Sequence, residues 1–568
     1  MVGLGRGLCA EGDGMSLKGI AHIAAGALLT AAAWGPAPAM ADDHVGGTLR
    51  LLASSAAGTI DPQVNYTQQF AQIFAVTNDG LVGYAKVNGP QSMVVVPNLA
   101  VALPQVQDNG TTYVFQLRRG IKFSTGQDVT PADVLASFQR LFKVESPNSA
   151  AWYSVIVGGD ACVTSPSTCT LAGGLVVDDK TYSITFHLTH PDPDFLYQLA
   201  MPFASILPAN TPATNLGTVP AAATGPYMIA SYDPQKELVL KRNPYFKEWS
   251  AQAQPAGYVD KVIESFGVNP EDAVTEIENG QADWMFDTPP TDRLAEIGTT
   301  YMSQVHINPM IGLWYAAMNV NIPPFNNKDV RQAVNYAFNR NAGVNIWGGP
   351  RLAKPTCQIL PPGVAGYEPY CPYTKNPGAK WSAPDMDKAK ALMKESGVAP
   401  GEKVVVITDD QMVDPSLGTY MVSVLNQLGF KATLKLISGS IEFPYIQNSK
   451  NKMQIGITSW ISDYPTASDF INVLLSCGSF HPGSDASPNI SGFCQKGIND
   501  QINQAMALDV TDPAAAAKLW AQIDKQITDQ APWVPMFTPY QLSFVSKRLG
   551  NFSYSYLYLM IISKVWVQ

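Results

Sequence analysis

Histidine is scarce in this chain, at six residues, and arginine is missing altogether from Leu352 to Lys547. Charge is sparse as well: 15% of residues are Asp, Glu, Lys or Arg, and they sum to −9. Nucleic acids and anionic membranes call for a basic face, so this balance argues against both as partners. No Gly-x-Ser-x-Gly, no His-Glu-x-x-His and no phosphate loop ending in Gly-Lys-Ser/Thr occurs. Nothing therefore assembles a nucleophile with a base or cradles a phosphate, and the chain does not read as an enzyme. His187 and His190 lie on a strand-like run ending at Pro191 and read as ordinary surface or half-buried residues. There is no Cys-x-x-Cys, and the histidines do not cluster with the cysteines, so neither a metal site nor a cofactor is expected. Beyond the N-terminal region no apolar run is long enough to span a bilayer, which takes about 20 residues.

What is present is an ordinary folded composition, 46% hydrophobic, over 568 residues. That length exceeds a single small core and predicts two to four domains. The N-terminus reads as an export signal. Lys18 is its positive end, Ile20 to Trp34 its apolar core and Ala39-Met40-Ala41 its cleavage site, with Asp42 as the first mature residue. Glu11 and Asp13 do not suit a leader, so translation is expected to start at Met15. Cys9 precedes the apolar core without a lipid-attachment context. Removing the leader leaves six cysteines in three sequence-local pairs, and an even count in an exported chain favours disulfides. The expected pairs are Cys162–Cys169, Cys357–Cys371 and Cys477–Cys494. A closed loop of about 15 residues contributes roughly 3 kcal/mol in the chain-entropy model.

From Gln454 to Asn472 the chain changes character. Met453 to Ile457 alternates as a short strand does, and Trp460, Asp463, Tyr464 and Pro465 follow. One reading is a ligand-contact element, with Trp460 as a flat apolar wall and Asp463 as a fixed negative charge. The other is a strand entering a turn, with Trp460 in the core and Asp463 as a turn former. Elsewhere, residues 46–52 form a glycine-led opening strand, Thr59-Ile60-Asp61-Pro62 a turn, and Asn65 to Val76 a helix. Asp108-Asn109-Gly110 predicts a hairpin-type turn before an alternating strand from Thr112 to Arg118. A helix starts at Pro131, with Thr130 as its N-cap and Asp133 in its first turn. Strand–helix alternation recurs at Val404–Thr408, Leu417–Leu428 and Lys431–Leu436, as in an α/β lobe. Leu557 to Ile562 reads as a buried strand.

Several of these segments, in order, resemble the extracytoplasmic solute-binding proteins of peptide/nickel-type ABC importers (family 5, like the oligopeptide- and dipeptide-binding proteins). The resemblance continues through Gly225-Pro226-Tyr227, Arg242-Asn243-Pro244, Glu278-Asn279-Gly280-Gln281-Ala282-Asp283, the run Pro324 to Ala333, and Asn339-Arg340. It covers roughly Gly46 to Pro539. It implies an α/β fold of the periplasmic-binding-protein type II-like kind, with two large lobes, a hinge and an extra inserted domain. The expected division is a leader over 1–41 and domain I over 42–84, 224–318 and 538–568. Domain II is then inserted over 85–223, and domain III covers 319–537. Hinge crossings are expected near Asn319 and near Thr538.

The resemblance also implies function. The protein would be a periplasmic monomer that captures a peptide or peptide-like solute between domains I and III and hands it to membrane permease subunits. In peptide-binding members the ligand adds as a strand, and its main-chain hydrogen bonds tolerate many side chains. By carry-over, Asp463 would anchor the α-ammonium, with Trp460, Ile461, Ser462 and Tyr464 around it. Tyr66, Thr67 and Gln68 would contact the ligand from domain I. Tyr66 stands where one subgroup has an acid, and Ile457 where one subgroup carries an arginine for the ligand's carboxylate. With no arginine from Leu352 to Lys547, the bidentate clamp of a short peptide is missing, and lysines do not replace its fork. Trp347, Trp381 and Tyr315 are candidates equally for pocket lining and for core. The alternative on the same fold is a binder of a metal chelate, oligosaccharide or opine-like solute. A secreted hydrolase is the remote one.

Overall fold

The computed structural model describes residues 44–568 apart from Met412 and Ser440. The expected leader, its cleavage site and Cys9 lie outside these residues. Three sheets organise the chain. The first has five strands in the order Trp284–Met285, Thr48–Leu52, Lys261–Ser265, Glu237–Arg242 and Tyr227–Asp233. The opening strand runs parallel to both of its neighbours, and its Leu49 and Leu51 are buried against Phe70, Ile73 and Phe74 of the helix Gln68–Thr77. That helix starts three residues later than its apolar pattern suggests. The Asn65 side chain accepts from the Thr67 N–H (2.9 Å), and the Thr67 hydroxyl accepts from the Phe70 N–H. These side chains satisfy the first-turn donors and hold residues 65–67 out of the helix.

The second sheet has four antiparallel strands, ordered Gln105–Gln107, Thr112–Gln116, Ser183–His187 and Leu175–Asp178. The expected Asp108-Asn109-Gly110 turn joins its first two strands, with Asp108 and Asn109 both at left-handed φ. The helix Pro131–Lys143 packs on this sheet. Asp133 caps it by accepting from the Thr130 N–H at 2.8 Å.

The third sheet is the largest. Its path is Val305–Pro309, Trp533–Phe544, Gly312–Met318, Ile455–Ile461, Lys403–Asp409 and Lys431–Ile437, with Ala353–Pro355 also paired to Trp533–Phe544. The alternation read at 404–436 is therefore a strand–helix–strand unit, with the helix Asp414–Gln427 between two parallel strands. Val305–Pro309 and Gly312–Met318 pair here and not with the five-stranded sheet, so this sheet takes in chain placed before residue 319 by the sequence reading. Asn319 sits at the end of one of its strands and Thr538 inside another, so neither is a crossing. The two segments that pass between the first and third sheets meet instead at Gln304 and Val545. The Val545 N–H donates to the Gln304 carbonyl (3.0 Å), and Gln304 Nε2 donates back to the Val545 carbonyl (2.8 Å). Residues 557–562 are buried as expected, but only Leu559–Met560 is strand.

All three expected disulfides are formed. Among the described residues no helix is long and apolar enough to cross a membrane. The Asp61-Pro62 turn is fixed by a buried ion pair. Asp61 is fully buried and accepts from Arg140 Nη2 at 2.6 Å, and its carboxylate also takes the Gln63 and Leu216 N–H groups. Removing one partner of such a pair leaves a charge uncompensated. Arg140→Met is therefore expected to destabilise the chain by about 3–5 kcal/mol, read as a lower urea midpoint at unchanged slope.

Candidate functional site

The strand Ile455–Ile461 brings the stretch around Asp463 to the junction of the three sheets. It pairs with Gly312–Met318 up to Gly312 opposite Ile461. The Ser462 N–H continues the pairing by donating to the Ile311 carbonyl at 2.8 Å. The chain then turns into the helix Ala467–Leu475. Asp469, in the first turn of that helix, does not cap it. Its Oδ2 accepts from the Asp463 N–H and from Trp460 Nε1, each at 3.1 Å, while its Oδ1 has no partner. One carboxyl thus pins both the aromatic and the acid of the turn.

Across the gap stands Tyr66, whose hydroxyl is 2.6 Å from both carboxylate oxygens of Asp463. Its ring is held edgewise against Trp152 and tilted on Phe203, yet the residue is 48% exposed. Tyr66 and Asp463 border a half-open cavity of about 300 Å³. Six of the eight residues expected at a ligand site line it: Tyr66, Thr67, Gln68, Ile461, Ser462 and Asp463. The other two do not. Trp460 turns to the far side of its strand, packing near Phe443 with its indole N–H spent on Asp469. Tyr464 is buried between Trp152 and Tyr197 and faces a second cavity. Of the remaining aromatics, Tyr315 is core, stacked on Trp533 at 3.8 Å. Trp347 packs on Trp314 and lines a separate cavity of about 360 Å³, while Trp381 is half-buried and lines neither. Thr67 reaches the cavity, but its hydroxyl already caps the helix.

The site also has parts the sequence reading missed. Met201, Pro202 and Phe203 add an apolar wall from the chain inserted between strands of the first sheet, and Leu557 adds another. Nothing local marks 201–203, because that wall depends on how the inserted segment folds back. Asp469 left a fainter signal: Thr466-Ala-Ser-Asp469 has capping-box spacing, but its side chain serves the turn instead.

The electrostatics are one-sided. No lysine or arginine is among the residues lining the cavity. Arg331 and Arg340 are buried elsewhere: Arg331 donates to the carbonyls of Phe325 and Gln530, and Arg340 to those of Thr356 and Pro535. Burial pushes Asp463 up to about 6, and the Tyr66 hydrogen bond opposes that rise. Burial, and then the nearby Asp463, hold Asp469 well above the ordinary carboxylate range. The site is an acceptor-rich notch with aromatic and apolar walls.

Two sheet-built lobes, joined by a paired double crossing and enclosing such a notch, define a cleft-type binding protein. A family description of this kind matches residues 94–482, and the chain belongs to the bacterial extracellular solute-binding proteins, family 5. Among its relatives, the di/tripeptide-binding protein 2 of Pseudomonas aeruginosa (strain UCBPP-PA14) is 25% identical over 537 residues, covering 89% of this chain and 92% of that one. The dipeptide-binding protein of Escherichia coli (strain K12) is 27% identical over 466 residues, covering 77% and 80%. A solved structure of the clavulanic acid biosynthesis oligopeptide binding protein 2 superposes with a TM-score of 0.83 at 24% identity, covering 92% of this chain and 96% of that one. The periplasmic binding protein DppA from Helicobacter pylori, solved with the peptide STSA, gives 0.72 at 20% identity, covering 92% and 98%.

A raised carboxylate has a stability signature. The folded chain holds the Asp463 proton more tightly than the unfolded one, so this contribution is complete below about pH 4, where an unfolded carboxylate titrates. It is lost as pH rises through about 6. Asp463→Asn is therefore expected to flatten the fall in melting temperature across that window in the ligand-free protein and to raise it at pH 7. Thermal melts across the window check this.

Proposed function

We propose that this protein is the solute-binding component of an ABC importer. It captures a peptide or peptide-like solute bearing a free ammonium group and delivers it to membrane permease subunits. The observation that carries the reading is Asp463, a carboxylate at a cleft without any cation lining it, whose present partner is one hydroxyl donor. An α-ammonium brings three donors and a full charge to the same oxygens, a stronger and more directional contact. Tyr66, Thr67 and Gln68 would hold the ligand from one lobe, and Ile461, Ser462 and Asp463 from the other. The names of the relatives, which specify dipeptides, tripeptides and glutathione, support this class of ligand.

The three-part division of the chain supports a closing mechanism. We place the hinge at the paired crossing of Gln304 and Val545 rather than near Asn319 and Thr538, because dihedral change is absorbed where few strands cross. Ligand contacts made by both lobes would bias the closed state, the only way a ligand can shift such an equilibrium. The protein would act as an exported monomer in the periplasm, without a cofactor. The lack of a cationic clamp also favours ligands whose carboxylate is distant, masked or absent, so longer or modified peptides suit the cleft better than the shortest ones.

Calorimetry with trialanine tests this. Asp463→Asn is expected to weaken binding by roughly 2–5 kcal/mol, the cost of breaking a buried charge pair. N-acetyl-trialanine should bind the native chain as weakly as trialanine binds the variant. Equal affinity of the native chain for both peptides would overturn the ammonium role.

A further inference from the structure

A second cavity, of about 530 Å³, opens between the segment 151–198 and the segment 464–507. Its wall carries Asp160, Asp192, Asp194 and Gln198 together with the aromatic rings of Trp152 and Tyr464. Asp194 and Gln198 are both 4% exposed. Asp194 Oδ2 accepts from the Ser468 hydroxyl across the two segments at 2.6 Å, and Asp192 Oδ1 accepts from the Asp194 N–H at 2.9 Å. The Gln198 amide leans on Asp192, yet its Oε1, buried in the wall, receives no hydrogen bond. His190 is the one lining group that can carry positive charge. It is exposed, and its Nδ1 lies 3.0 Å from the Thr189 hydroxyl. No lysine or arginine lines the cavity. From the neighbouring helix Asp509 adds a further carboxylate near Asp194, held by Trp520 Nε1 at 2.7 Å.

We infer that this cavity is a second subsite, one that takes an alkylammonium or guanidinium group. The cavity wall offers an excess of acceptors and an orphan carbonyl, and a cation with several N–H donors suits both. A metal ion is the wrong occupant: among the described residues no group of three or more His, Cys, Asp or Glu is placed to hold one. Burial, and then Asp192, push Asp194 up to about 8. A cation arriving beside it would oppose that rise. The burial of Tyr464, and then Asp194, raise its hydroxyl likewise, so it stays a neutral donor.

The cation has two possible sources. It is either a free amine or a basic side chain of a peptide in the main cleft. The two cavities share a wall, since Tyr464 follows Asp463 and Trp152 stands edge-on to Tyr66 at 6.3 Å. Calorimetry on the folded chain separates the sources, with agmatine as the free probe and Arg-Ala-Ala against norleucine-Ala-Ala as the tethered one. A free-amine site binds agmatine, loses roughly thirtyfold or more in the Asp192→Asn/Asp194→Asn variant, the order expected for a broken buried charge contact, and is untouched by Asp463→Asn. A side-chain site gives Arg-Ala-Ala an advantage of about tenfold over norleucine-Ala-Ala that vanishes in the same double variant. Gln198→Met keeps size and buried packing while deleting the orphan acceptor, and it should lower either signal even if the double variant folds poorly. The inference is overturned if the native chain shows neither signal. It is also overturned if the signal survives these variants, or if agmatine binding is lost only in Asp463→Asn, which places it in the main cleft.

Discussion

Asp463 and Asp469 lie six residues apart and share one turn, and Asp463 faces a cavity with no lysine or arginine in its lining while Asp469 is buried behind it. Two carboxylates held this close and away from water resist double ionisation. The structure resolves the conflict by position. Asp469, the inner one, is held well above the ordinary carboxylate range by burial and then by Asp463, and accepts two N–H donors on one oxygen. Asp463, the outer one, is left poised near neutrality with only the Tyr66 hydroxyl to satisfy it. The cleft geometry follows from this. The indole of Trp460 is turned away from the cavity because its N–H is needed by Asp469. The backbone of Asp463 is fixed for the same reason, so its side chain is aimed without help from a ligand.

The scarcity of arginine belongs to the same design. Two of the central arginines, Arg331 and Arg340, are spent on backbone carbonyl groups. Arg340 is completely buried and bonds the carbonyls of Thr356 and Pro535, and Arg331 does the same for Phe325 and Gln530. A guanidinium with five donors suits that task because it satisfies several buried acceptors at once. Such a residue is then unavailable to a ligand. Both cavities present acceptors and aromatic residues without a lysine or arginine in their lining.

How much of this was legible depended on range. The disulfides, the capping box at Thr130 and the Asn109 turn are local, and each was readable from a few residues. The strand–helix–strand unit at 403–437 was readable from its alternation. The placement of Gly312–Met318 was not, because its partners, Ile455–Ile461 and Trp533–Phe544, are more than 130 residues away and nothing in its own apolar sequence names them. Of the candidate site, the six residues that converge are those on backbone that lines the gap. The two that do not, Trp460 and Tyr464, were drawn in by their neighbourhood to Asp463. Strand alternation already separates Trp460 from Ile461, and the Trp460 indole is held on its side by the buried Asp469, to which the sequence reading gave no role. The wall at 201–203 was invisible, since it reaches the cavity only through the folding of the inserted segment.

Tyr66 gives the site a further property. Its hydroxyl offers the Asp463 oxygens, in the unliganded cleft, a donor of the kind that an ammonium would supply. A hydrogen bond to a charged group is worth about 1.5–3 kcal/mol, and this one joins the two lobes. A ligand that displaces it must replace that contact as well as pay its own ordering cost. A full charge with three donors does so, whereas a neutral amide or hydroxyl offers no gain over the tyrosine already present. If an ammonium is the ligand group, as proposed, the tethered hydroxyl would penalise uncharged competitors more than amines, which is discrimination obtained by raising the threshold rather than by adding contacts. Because Tyr66 is held by Trp152 and Phe203, rings of the inserted segment, the threshold is set by all three parts of the cleft together.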